Sequence, residues 1–222
     1  MKYKKAKIKV PEHINEITLA QYQLFIDKVK DLDPEQDDLL IKQYMIHCFC
    51  GVDFTDALTI SYIDVEQIAA HINSFNFENP PLERRFKINE VEFGFIPNME
   101  KVSMGEYADM DKYIEEWDNA HRLMAVMFRP INNKEDEKYS IQTYEGTEEW
   151  HNVMRYTPLG VALGVRLFFY HLGKELLAAF PSYLQRETQK GIFLKQHSSE
   201  ESGAGIRRSI NLLKETLEGS MK

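Results

Sequence analysis

The sequence is short of the features that announce chemistry. Its 222 residues include two cysteines, Cys48 and Cys50, too few for the disulfide framework of a small secreted domain. They stand two apart in a stretch of helical pattern, so they point to nearly opposite sides and cannot share a metal ion in that conformation. A pair of reduced, buried thiols is the expectation. No uncharged apolar run approaches the roughly 18 residues that read as a membrane span. The Lys-rich start, Met1 to Lys5, leads into no apolar segment of a secretion signal, so synthesis in the cytosol is expected. Positive charge is scarce: 27 Lys and Arg against 35 Asp and Glu leave a net −8, which argues against broad nucleic-acid binding because phosphates demand cations. There is no glycine-rich phosphate loop, no HExxH helix and no GxSxG elbow.

What is present is a large supply of core. Apolar residues make up 43% of the chain, Phe alone contributes 13, and the mean hydropathy is −0.44. One main domain with an appendage suits this length. The clearest local code runs from Arg85 to Ile131. Residues 85–88 and 91–96 alternate apolar with polar about Asn89-Glu90, which predicts a hairpin with Ile88 opposite Val91 and Phe86 opposite Phe93. Its apolar face must be covered, since an isolated hairpin is marginal in water. Pro97 stops the second strand. Ser103 with Glu106 then forms a capping box, with Val102 and Tyr107 placed for a hydrophobic staple, and a helix starts at Met104. A second helix near Asp118 carries Trp117, Ala120, Leu123, Met124, Met127 and Phe128 on one face. Asp118 and Arg122 are spaced for an ion pair, and Pro130 is expected to end the helix.

Elsewhere, Thr18 and Gln21 cap a helix bearing Leu19, Tyr22, Phe25, Ile26 and Val29. Asp33-Pro34 reads as N-cap and first turn of the next, in a cluster with Asp31, Glu35, Asp37 and Asp38 that favours the helix dipole. That helix ends at Gly51. A further helix spans about Ile63 to Phe75, with Ile63, Ile68, Ala69 and Ile72 on its face. Asn132 to Lys138 reads as a solvent loop, Tyr139 to Tyr144 as a short strand, and Thr147 as the cap of a short helix with Trp150, Val153 and Met154. Thr157-Pro158 opens the longest helix, apolar on most sides to Leu172 and expected to be the buried centre, with Gly160 and Gly164 admitting another helix. The fold predicted is α+β and predominantly helical: a helical domain over residues 1–196 with a small antiparallel sheet around 85–96 and an N-terminal edge strand. Residues 197–222 follow as a Ser/Glu/Gly-rich linker and an amphipathic helix.

Candidate functional residues are few. Lys4, Lys5, Lys7 and Lys9 alternate with apolar residues, as a guarded edge strand would or as a basic arm docking on an acidic partner. Ile206, Ile210, Leu213 and Leu217 recur at helical spacing on the tether, which either folds back or docks in a partner's groove. Two acid-x-x-His spacings, Asp118 with His121 and Glu148 with His151, could contribute to a di-metal carboxylate site. That site also needs acids from two further helices, and solvated surface pairs are the simpler reading. His47 and His171 sit in apolar surroundings and are expected to be core histidines. No catalytic residue and no cofactor is assigned.

The run Phe86-Lys87-Ile88-Asn89-Glu90-Val91-Glu92-Phe93-Gly94-Phe95-Ile96-Pro97-Asn98, then Met104-Gly105-Glu106-Tyr107, then residues 121–131 from His121 to Ile131, with Leu159 to Glu175, resembles small proteins of tailed bacteriophages labelled tail assembly chaperones or minor virion components. The resemblance implies a non-enzymatic role in virion morphogenesis. A chaperone of this kind would bind the tape-measure protein in the host cytoplasm. The alternative is a component kept in the head, neck or tail of the particle. Other phage proteins would be the partners, self-association is compatible with the same apolar surface, and no membrane is involved. The Lys-rich start departs from this pattern, and no functional residue carries over.

Overall fold

The structure is a computed structural model that describes residues 8–135 and 138–174. It is α+β and mostly helical, with a single four-stranded antiparallel sheet among the described residues. The chain falls into two units, Met1–Phe168 and Phe169–Lys222. The predicted boundary at 196/197 lies outside the described residues, as do residues 1–7. Residues 8–10 join no strand, so the described part of the predicted N-terminal edge strand is irregular.

Helix α1, Leu19–Val29, begins at the predicted capping box: the Thr18 hydroxyl accepts from Gln21 N, and Gln21 Oε1 accepts from Thr18 N at 2.8 Å. Helix α2, Asp38–Cys50, starts later than Asp33-Pro34 suggests. The Asp33 carboxylate does accept from Glu35 N and Gln36 N, but these close a separate turn, and Asp37 becomes the N-cap. Gly51 ends α2 at φ 65°, as the sequence predicts. After the short α3, Phe54–Ala57, helix α4, Tyr62–Asn73, starts when Ser61 Oγ accepts from Asp64 N. Its buried face is Val65, Ala69 and Ile72; Ile63, placed on that face by the sequence reading, is 66% exposed.

The hairpin is as predicted. Strands β1, Arg85–Ile88, and β2, Val91–Phe95, pair with Phe86 opposite Phe93 and Ile88 opposite Val91, and Asn89 takes the positive φ of the turn at 51°. Phe86 and Phe93 stack at 5.8 Å, and Phe128 meets Phe86 edge-on at 4.9 Å. Helix α5, Met104–Tyr113, starts at the second predicted box; Tyr107, the expected staple, is 60% exposed.

Helix α6 is Ala120–Met127, and its end differs from expectation. Pro130 does not terminate it: Phe128 already begins strand β3, Phe128–Glu135. Residues 128–130 pair with β2, and from Ile131 the pairing passes to β4, Lys138–Ile141, with an irregularity between Ile131 and Asn133. Proline, lacking an N–H, thus sits where the strand changes neighbours and the ladder loses little. The polar run at Asn132 is therefore largely strand, and β4 extends the sheet beyond β3.

Residues 159–174 are helical and form α7. Leu159, Val161, Ala162 and Val165 are fully or almost fully buried, while His171 is exposed, against the expectation of a core histidine. The two glycines of α7 admit the short 3₁₀ turn Ile14–Glu16 and the segment at Pro81 rather than another α-helix. A Cβ at Gly160 would strike the Asn15 side chain, and one at Gly164 would strike the Pro81 carbonyl oxygen. A short bridge joins Thr18 to Pro158, with Leu19 N donating to Thr157 O and Leu159 N to Ile17 O, each at 2.8 Å. Ile17 and Leu159 thereby enter one core with Met45, Cys48, Phe49, Ala69 and Ile72 of α2 and α4. Cys48 is buried and Cys50 half-buried, both are free, and burial raises each thiol to about 11. His47 Nδ1 lies 2.6 Å from Val52 O.

Candidate functional site

The fold brings three of the four acid-x-x-His residues together and leaves the fourth outside. The imidazoles of His121 on α6 and His151 lie 5.7 Å apart between ring centres. Gln23 of α1 fixes the first of them. Its Nε2 is 2.6 Å from Trp117 O, 3.1 Å from Asp118 O and 3.2 Å from His121 Nδ1. Carbonyl oxygens only accept, so the amide nitrogen faces them and donates its two hydrogens there. His121 is 5% exposed. Burial pushes its pKa down to about 4, and the positive charges of Arg155, His151 and Arg122 act in the same direction.

The Glu148 carboxylate is divided between two partners: Oε1 receives Arg122 Nη1 at 2.6 Å, and Oε2 is 3.4 Å from His151 Nε2. Arg122 thus pairs with Glu148 rather than with Asp118 as its helical spacing predicts, and it also donates to Thr147 Oγ1 at 3.1 Å. The reason is geometric. Asp118 belongs to the 3₁₀ turn Trp117–Asn119 that precedes α6, so the i, i+4 relation is broken. Asp118 is exposed, and no group of three His, Cys, Asp or Glu suited to an ion gathers among the described residues. The arrangement sets the buried His121 ring beside Gln23 and His151 beside a salt-bridged carboxylate, and it ties α1 to the start of α6.

A second polar centre escaped the sequence reading. Arg129 of β3 and Glu106 of α5 form a buried ion pair at 2.6 Å, each side chain 8% exposed. Glu106 Oε2 also accepts from Ser103 N at 2.7 Å, so one carboxylate serves both the helix cap and the pair. Burial pushes the Glu106 carboxyl up, but the Ser103 hydrogen bonds and the Arg129 charge outweigh it and hold it below its ordinary value. Arg129 lies over the Tyr144 ring at 5.3 Å, and the Tyr144 hydroxyl donates to Asp109. The only trace of this in the sequence is an arginine amid an apolar run.

The remaining candidates are surfaces. Leu58, Tyr62 and Ile63, at the α3–α4 junction, are 51%, 65% and 66% exposed. Met104 and Tyr107, one turn apart on α5, are also exposed. Nothing in the spacing marked the first group, because Ile63 looked like a core position. Of the predicted partner-binding residues, Lys9 is exposed. Lys4, Lys5, Lys7, Ile206, Ile210, Leu213 and Leu217 lie outside the described residues. No helix among the described residues is long and apolar enough to cross a membrane. Comparison with known proteins finds no matching family model, no matching curated sequence and no matching solved structure.

Proposed function

We propose that this protein is a non-enzymatic bacteriophage morphogenesis factor that works by protein–protein contact in the host cytoplasm, in the manner of a tail assembly chaperone. The observation that carries this reading is the exposure of Leu58, Tyr62 and Ile63 within residues 58–63. Scattered apolar side chains on a surface are ordinary, but three large ones exposed within six consecutive residues suit a contact site. Covering a large apolar side chain contributes about 1.5–3 kcal/mol, so this group alone could anchor a partner. The net charge of −8 keeps the free protein dispersed while such a surface is uncovered. The sequence resemblance supplies the phage context, and a tape-measure protein is the partner it implies.

Co-expression with the tape-measure protein of the same genome tests the proposal. The chain is expected to co-purify with it. The triple variant L58S/Y62S/I63S should lose that partner while melting at the native temperature. Retained capture by the variant removes the proposed surface. Stoichiometric presence of the chain in purified particles replaces the chaperone with a virion component.

A further inference from the structure

Several cations in the described residues meet carboxylates: Lys42 meets Asp38 and Glu66, Arg122 meets Glu148, Arg129 meets Glu106, and Lys134 meets Glu92. Arg84 and Lys138 do not, and they line one place together. An open depression of about 490 Å³ is lined by Glu83, Arg84, Arg85, Pro97, Lys138 and Tyr139. It exists because β4 comes back toward the entry of β1, where the Tyr139 hydroxyl reaches Arg84 O and Phe95 O. Two exposed cationic side chains, Arg84 and Lys138, therefore share this depression with one carboxylate. That carboxylate, Glu83, is already engaged by Asn15 Nδ2 at 3.0 Å. Arg84 and Lys138 are exposed, and neither is in an ion pair.

We propose that this depression binds a carboxylate-rich peptide segment of a partner protein. Arginine presents a planar fork that takes a carboxylate through two parallel hydrogen bonds, and a lysine opposite adds a mobile point charge. The Tyr139 ring and Pro97 supply apolar wall for the methylenes of Glu side chains. A short acidic segment engages Arg84 and Lys138, with Glu135 the acid opposite Lys138 across the β3–β4 pair. A long polyanion such as nucleic acid would also run across a body carrying −8, which opposes it. The inference rests on the reading of the chain as a binding protein, but it uses residues other than the apolar group at 58–63.

Fluorescence anisotropy of the full chain with a labelled oligoglutamate peptide at low ionic strength tests it. Binding is expected to be saturable, to weaken steeply with salt, and to fall about tenfold or more in R84A/K138A, which removes two charge-assisted contacts. The remote variant K28A should bind as the native chain does. R84E/K138E should reject oligoglutamate and take up oligolysine, an inversion that unfolding would not produce. The proposal is overturned by absence of oligoglutamate binding, by equal binding in R84A/K138A, or by inorganic phosphate or single-stranded DNA displacing the peptide at lower concentration. Co-purification with L58S/Y62S/I63S is read separately, so either surface can fail without the other.

Discussion

Tyr139 of β4 lies against the bare backbone of Gly94 in β2, and its hydroxyl sits 2.9 Å from Phe95 O and 3.3 Å from Arg84 O. A Cβ at position 94 would stand 2.5 Å from Tyr139 Cε2 and 3.0 Å from Ile131 Cγ1. Gly94→Ala must therefore displace the ring or the strand. The expected loss is about 1–3 kcal/mol, as for other overpacked cores. Tyr139→Phe keeps the ring and loses only the hydroxyl contacts, about 1 kcal/mol. Urea denaturation of the two variants measures both, and a native midpoint for Gly94→Ala would show that β4 does not press on β2.

The Glu106–Arg129 pair predicts an asymmetry. Arg129→Met leaves a buried carboxylate alone and should cost about 3–5 kcal/mol. Adding Glu106→Gln removes that charge while keeping a side chain that can still cap Ser103, so the double variant should be more stable than the single one. A double-mutant cycle reads this directly, and additive losses would mean the two groups do not interact. The pair also sets an acid limit. The folded-state pKa of Glu106 is depressed, so its contribution is complete above the ordinary value of 4.5 and is lost as pH falls through the lower folded value.

His121 acts at milder pH. Its folded pKa of about 4 lies below the ordinary 6.5 because burial disfavours the charged form. The unfolded chain takes up a proton first, so stability falls as pH drops from 6.5 toward 4. The most this one group can remove is about 3 kcal/mol. Chemical denaturation across that range should show the fall in the native protein and a flatter profile in His121→Asn. Identical slopes would assign the pH dependence elsewhere.

Gly51 tests backbone strain without packing. Its φ is 65°, and nothing stands within 4 Å of where a Cβ would be. Gly51→Ala should cost about 1 kcal/mol, and Gly51→Asn less, since asparagine tolerates this region better. Thermal melts of the two variants give the order, and its reversal would contradict a left-handed cap.

The sequence disclosed what short-range rules control. The Thr18 and Ser103 capping boxes, the Phe86–Phe93 register and the Gly51 stop depend on neighbours a few residues away, and all are found. Expectations failed where a distant partner decides. Pro130 looked like a helix stop because proline usually is one. The pull of β2 on Phe128 to Pro130 ended the helix earlier. Ile63 carried the apolar pattern of a core residue, but α4 turns Val65 inward instead.

The polar centres were harder to see for a related reason. The Arg122–Glu148 bridge links residues 26 apart, and Gln23 reaches His121 across 98 positions. Helical spacing offered Asp118 as the partner of Arg122, and no periodicity names a glutamate beyond two intervening strands. The basic depression was equally hidden, since Arg84 and Lys138 meet only because β4 returns to the start of β1.

The Thr18–Pro158 bridge gives the body a late fastening. The residues that immediately precede α1 hydrogen-bond to a segment synthesised only after the sheet and six helices. A nascent chain can wind α1 by its local cap, yet it cannot close the Ile17–Leu159 core until residue 159 emerges. Truncations short of that point should stay open and sticky, and ribosome-bound chains should gain protease resistance abruptly rather than helix by helix.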